Sequence, residues 1–183
     1  MSELVFLKLG GSLITDKRRC ETPRPTIVNR VAGEIAAALK ARPDMRLLLG
    51  HGSGSFGHFV ADRYQIQRGN LRDWMGYAET SAAAQRLNRL VTDSLLAQGV
   101  PAASIQPSAS ARCADGELVE LATEPIATLL QHGVVPLVYG DIALDAVKGC
   151  TIISTEQIFV HLARELRPQR ILMVGEVAGV YSG

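Results

Sequence analysis

The sequence predicts an α/β fold in which parallel strands alternate with helices, and three observations carry that expectation. Four short runs, Leu4–Leu7, Met45–Leu49, Val134–Tyr139 and Arg170–Val174, have the length and apolar content of strands in a parallel sheet. Between the first two lies a four-residue repeat, Ile27, Val31, Ile35 and Leu39, the spacing of one helical face. Each of those two strands opens into a glycine-rich segment, so strand, loop, helix, strand, loop reads as a βαβ unit with anion-type loops at both strand ends.

In chain order, Leu4–Leu7 leads into Lys8-Leu9-Gly10-Gly11-Ser12. A lysine before paired glycines and a serine offers one charge and several N–H groups to a single anion, although the same residues also make a plain turn. Lys17 can return to that pocket or sit on the surface. Arg18 to Arg24, with Pro23 and Pro25 close by, predicts a mobile loop; Pro25 then suits the first turn of the helix that Arg42-Pro43 closes. The second strand delivers Gly50-His51-Gly52-Ser53-Gly54-Ser55-Phe56-Gly57-His58, around which the chain is organised. Its glycines let the backbone approach a ligand closely, so that successive N–H groups converge on phosphate oxygens at a helix N-terminus, and His58 adds a side-chain donor. A glycine-rich turn with no ligand is the alternative. A short helix is expected to follow through Phe59, Val60, Ala61 and Tyr64.

Beyond a polar stretch, a long helix is predicted from Trp74 to Gln98 with Ala83, Leu87, Leu90, Val91 and Leu95 on its core face and Gly99 as its stop. Trp74, Met75, Tyr77 and Ala78 at its start either line an apolar substrate pocket or pack in the core. Ala102–Gln106 is a weak strand, and Ala114-Asp115-Gly116 marks a hairpin turn. Thr123 is the expected cap of a helix reaching His132 and ended by Gly133. The third parallel strand is tipped by Gly140-Asp141, where an acidic residue is placed for ligand work or simply for a turn. Ser154 and Gln157 form a capping box opening a helix with Ile158, Leu162 and Leu166 on its apolar face. Glu156, in the first turn, complements the helix dipole.

At 183 residues the chain suits a single domain spanning 1–183. A net charge of +1 favours neither nucleic acid nor a membrane surface, and 47% hydrophobic with 20% charged residues is ordinary for a soluble globular protein. Glu3 and Lys8 interrupt the first apolar run, so no secretory or membrane-spanning segment is expected. Cys20, Cys113 and Cys150 have neither metal-ligand nor redox spacing, which points to a reducing cytoplasm and no protein-held metal.

Gly52-x-Gly54-x-x-Gly57 matches a dinucleotide fingerprint in form, but that motif belongs after the first strand and here follows the second. No Gly-Lys-Ser/Thr follows the glycines, which excludes a P-loop. Two glycine loops at successive strand ends, each with a cationic or donor side chain, suit two phosphate groups held face to face for phosphoryl transfer.

Lys8-Leu9-Gly10-Gly11-Ser12, Gly52–His58, Pro136-Leu137-Val138-Tyr139-Gly140-Asp141 and Gly179-Val180-Tyr181, in that order, resemble the amino acid kinase family, and the histidine-terminated loop resembles its isopentenyl phosphate kinase branch. The resemblance implies a three-layer αβα sandwich with a mostly parallel open sheet, a homodimer, and ATP with Mg2+ as cofactor. It also implies ATP-dependent phosphorylation of the small molecule isopentenyl phosphate to isopentenyl diphosphate. It assigns Lys8, Gly10, Gly11, Ser12, Gly54 and Glu176 to ATP, Lys17 to a further phosphate contact, and Ser53, His58 and Thr155 to the acceptor, with catalysis by His58, Lys8 and Lys17. Asp141, Glu156, Tyr77 and Ala78 stand as supporting residues. Ser154-Thr155-Glu156 replaces the family's Ser-Gly-Asp, and Ala178 stands where an Asp is common. The family continues through a further stretch holding most of the adenine pocket, so the chain is expected to represent mainly the acceptor-side part. A kinase of another small phosphate, phosphonate or acid, and a non-catalytic nucleotide sensor, are the competing expectations.

Overall fold

The computed structural model describes residues 3–66 and 73–176. In chain order the elements are β1 (Leu4–Leu9), α1 (Gly11–Ile14), α2 (Pro25–Ala41), β2 (Arg46–His51), α3 (Gly54–Arg63), α4 (Trp74–Ala97), β3 (Ala102–Ser104), β4 (Arg112–Ala114), β5 (Glu117–Glu120), α5 (Glu124–Gln131), β6 (Val135–Tyr139), β7 (Asp141–Asp145), β8 (Gly149–Ile153), α6 (Thr155–Leu166) and β9 (Arg170–Val174). The main sheet has five strands in the order β3-β6-β2-β1-β9, and every pairing in it is parallel.

Alternation along the central strands builds the layers. Val5 and Leu9 of β1, with Leu47 and Leu49 of β2, face a cluster that includes Val31 and Ile35 of α2 and Leu87, Val91 and Leu95 of α4. Their sequence neighbours Leu4, Phe6 and Leu48 turn the opposite way, onto Ile126 and Leu130 of α5 and Ile158, Phe159 and Leu162 of α6. Because successive strand residues point to opposite faces, continuous apolar runs demand cover on both sides. The result is the three-layer αβα sandwich.

A second sheet, in the order β5-β4-β7-β8, lies beyond the sequence expectations except for the β4–β5 hairpin. Asp145 organises it: its carboxylate accepts from the amides of Asp115 and Gly116 in one hairpin and of Val147 and Lys148 in the other, at 2.7–3.1 Å.

Two local expectations are corrected. Thr123 does not cap α5, because its backbone is already near-helical and its hydroxyl donates to Leu121 O at 3.4 Å. The segment 18–24 is tied down, since the Glu21 and Thr22 amides donate to Ser55 O and Oγ at 3.3 and 3.1 Å and Thr15 bridges Pro23. No helix among the described residues is long and apolar enough to cross a membrane. Cys20, Cys113 and Cys150 are free thiols, and burial pushes that of Cys113 up to about 11.

Candidate active site

The carboxyl ends of β1 and β2 each run straight into a helix, α1 at Gly11 and α3 at Gly54. These two starts touch. A side-chain carbon on Gly11 would lie 2.7 Å from Gly54 Cα and 2.8 Å from Gly54 N, so the loops pack backbone against backbone. Thr15, fully buried, locks them together: its hydroxyl donates to Gly11 O at 2.7 Å and accepts from Ser55 N at 3.0 Å. The N–H groups of Gly11, Ser12 and Gly54 open helices and have no acceptor within them, which concentrates donors at one place on the sheet's carboxyl edge. The helix of the second loop begins at Gly54, inside the motif, and carries His58 one turn on as an exposed side chain.

His58 lines a cleft with Ser53, Gly57 and Ala61 of the same loop and helix, Thr80 and Ala84 of α4, Gly140, Asp141 and Ile152. Its free volume is about 20 Å3, near that of one water. Asp141 is buried there, accepting from Ser108 N at 3.1 Å and Ile142 N at 2.8 Å; burial outweighs those bonds and pushes its carboxyl above the ordinary value.

Lys8 points to the α6 face of the sheet and pairs with Glu156 in the first turn of α6. Burial alone would raise the Glu156 carboxyl, but the hydrogen bond from Lys8, those from its own amide and Ser154, and the Lys8 charge together outweigh it and hold it below its ordinary value. Thr155 is buried and its hydroxyl donates to His51 O at 2.6 Å, so that hydroxyl anchors α6 to β2. Glu176 pairs with Arg24 at the start of α2. Lys17 is exposed on the turn after α1. Tyr77 is half-buried, and the Asp141 charge helps burial raise its phenol. Ala78 does not join the cleft. Thr80 and Ala84, one turn apart, share the face of α4 turned to it, whereas Ala78 is exposed with Trp74 and Met75. Ala178 and Gly179-Val180-Tyr181 lie outside the described residues. No three His, Cys, Asp or Glu side chains among the described residues group to hold a metal ion.

The sequence profile of the amino acid kinase family matches residues 3–183. This chain belongs to the amino acid kinase family. Among curated members it is 37% identical to the isopentenyl phosphate kinase of Methanothermobacter thermautotrophicus, over 98% of this chain and 69% of that protein. It is 36% identical to the isopentenyl phosphate kinase of Methanocaldococcus jannaschii, over 97% and 70%. A solved isopentenyl phosphate kinase superposes with a TM-score of 0.90 at 36% identity, covering 99% of this chain and 76% of the other. The product complex of the Thermoplasma acidophilum isopentenyl phosphate kinase gives 0.84 at 28% identity, over 98% and 73%.

Within this amino acid kinase fold, two residues at the site escape sequence reasoning. Thr15 reads as a residue of no note, yet it is the staple between the loops. Replacing it with valine keeps the shape, leaves the Ser55 amide without its partner, and is expected to lower unfolding free energy by about 1–3 kcal/mol in urea titrations. The second is His51, at the end of β2. Its Nδ1–H donates to Gly52 O at 3.0 Å while Nε2 accepts from Asn88 Nδ2 at 3.2 Å, and its ring stacks on Tyr139 with centroids 5.6 Å apart. Full burial lowers its pKa from 6.5 to about 4. The unfolded chain then binds the extra proton between those values, so stability is complete above pH 6.5 and falls as the pH drops towards 4. The loss is about 3 kcal/mol across that window, at roughly 1.4 kcal/mol per pH unit. Denaturant midpoints at pH 7 and pH 5 for the parent and His51→Gln check this: the parent should lose stability on acidification and the variant should lose markedly less.

Proposed function

We infer that this family member transfers the γ-phosphoryl group of ATP to the phosphate of isopentenyl phosphate, giving isopentenyl diphosphate and ADP. One observation carries the reading. Two glycine loops meet at the ends of adjacent parallel strands, with His58 one turn beyond, in a chain 36–37% identical to proteins named isopentenyl phosphate kinase.

The chemistry asks little of a base. An alkyl phosphate with a second pKa of about 6 is already largely dianionic at neutral pH, so the attacking oxygen needs no deprotonation. What remains is to hold two polyanions in line and stabilise the charge on the transferring group. Lys8, Lys17, Ser12 and the backbone at Gly10, Gly11 and Gly54 serve the ATP phosphates, and Glu176 the nucleotide side. Ser53, His58 and the Thr155 amide serve the acceptor, with His58 a positioning donor and not a proton acceptor. Magnesium, brought by the nucleotide, supplies further positive charge to its phosphates. An arriving phosphate competes with Glu156 for Lys8, so the ion pair keeps the ammonium in place until nucleotide binds. A cytoplasmic homodimer of single-domain chains completes the reading; it is supported by the family resemblance and, for the compartment, by the free thiols.

An assay coupling ADP release to a spectroscopic readout tests the reading, with isopentenyl phosphate, a short alkyl phosphonate and an amino acid offered in parallel. Turnover on isopentenyl phosphate well above the others is the expected result. Faster turnover on a phosphonate or amino acid would displace the substrate but keep the kinase, and ATP binding without any transfer would mark a sensor.

A further inference from the structure

One buried polar group lining the cleft stands without a partner among the described residues. Thr80 is 2% exposed, and its hydroxyl meets no hydrogen-bond partner among the described residues. A helix threonine commonly discharges its hydroxyl on the carbonyl one turn back. Thr92, on the same helix, does so, onto Asn88 O at 2.8 Å. Thr80 does not, although it sits inside α4 with a full turn behind it. Asp141, on the same cleft, accepts from the Ser108 and Ile142 amides instead. Arg46 Nε and His161 Nδ1 are likewise unpartnered among the described residues, but neither lines this cleft.

A buried hydroxyl without a partner is destabilising, so a protein that keeps one in a cleft is best explained by a ligand that brings the acceptor. The cleft's other polar lining includes Ser53 and His58, the groups the functional reading gives to a phosphate. Its free volume, near that of one water, also suits one phosphate oxygen. We propose that Thr80 is a third acceptor-binding side chain: its hydroxyl donates to a phosphate oxygen of the phosphate monoester held by Ser53 and His58. This rests on the reading of the cleft as the phosphoryl-acceptor site, and it adds a side chain from α4 to those of Ser53 and His58 on the glycine loop and to the Thr155 amide of α6.

Thr80→Val removes the hydroxyl at nearly constant shape, and Thr80→Ser retains it. In the full chain, Thr80→Val should raise KM for isopentenyl phosphate at least tenfold with a smaller change in kcat, and Thr80→Ser should stay within about threefold of the parent. Without ligand, Thr80→Val should melt at a higher temperature than the parent, because an unpaired buried hydroxyl has gone. Three results would overturn the proposal: an unchanged KM in the valine variant, equal impairment in both variants, or a lower melting temperature for ligand-free Thr80→Val, which would reveal a partner within the protein. If the parent prefers another phosphate monoester, the isopentenyl phosphate reading falls while Thr80 is judged by the same variants on that compound. If the parent transfers to no acceptor, calorimetric titration of all three proteins with isopentenyl phosphate and inorganic phosphate decides. Binding weakened in the valine variant alone supports the contact, and no binding, or equal binding in all three, overturns it.

Discussion

His58→Ala is expected to slow phosphoryl transfer by about 10²–10³, equivalent to roughly 2.7–4 kcal/mol of transition-state stabilisation, the range found when one preorganised donor is removed. The fold should survive, since His58 is exposed on the first turns of α3 while the core face of that helix is made by Phe56, Val60 and Ala61. Circular dichroism and melting temperature should therefore match the parent while kcat/KM falls. Because the acceptor is already ionised, the loss should appear as misplacement of the acceptor phosphate and should not acquire the pH dependence of a missing base. His58→Gln, which keeps a donor on a side chain of similar reach, should recover part of the lost rate. Near-parental turnover in His58→Ala would remove the residue from the mechanism. A collapse in melting temperature would instead assign it to the fold.

The layers of the fold were legible because burial on both faces writes itself into sequence as short apolar runs, and the main-sheet strands follow those runs within one or two residues apart from the weak β3. The capping box at Ser154 and Gln157 was legible for a similar reason: both of its bonds are local, at 3.1 and 2.9 Å. What stayed hidden depends on contacts between distant residues. β7 and β8 are short and carry mixed residues, and the carboxylate that fixes them, Asp145, reaches amides about 30 positions away. At the site, the glycine pattern announced a close approach of backbone to something. In the structure part of that something is the other loop: Gly11 lies against Gly54, so the glycines join the loops as well as leaving room for an anion. The roles of Thr15 and His51 stay hidden because they depend on partners 40 and 37 positions away: His51 stands inside the glycine stretch, yet nothing in that stretch shows that it is buried against Asn88. On α4 the helical period turns Thr80 and Ala84 to the cleft and leaves Ala78 exposed, a distinction that nearness in sequence alone does not make.

The junction of the loops makes Gly54→Ala the substitution with the largest expected effect on stability and on activity together. Gly54 has φ of +51°, in the left-handed region where a side-chain carbon costs about 1–2 kcal/mol. That carbon would also meet the Thr15 hydroxyl, and it would lie 2.8 Å from Thr15 Cγ2 and 2.9 Å from Gly11 O. Backbone on one side and a fully buried, doubly bonded threonine on the other leave little room to relax, and overpacking of this kind adds about 1–3 kcal/mol. The two effects together predict a loss of about 2–5 kcal/mol, which is a large share of the stability of an ordinary domain. Relief would come most directly by separating α1 from α3, spreading the N–H groups of Gly11, Ser12 and Gly54, so transfer should fall even in the fraction that stays folded. Gly99→Ala separates the causes. Gly99 has φ of +77° but nothing within 4 Å of an added carbon, so it should register only the conformational cost and leave activity unchanged. Denaturant unfolding and ADP-release rates on the two variants and the parent measure both effects. Similar losses in the two variants would mean that backbone conformation alone sets the requirement for glycine at 54, and that the contact between the loops contributes nothing to holding the phosphate donors together.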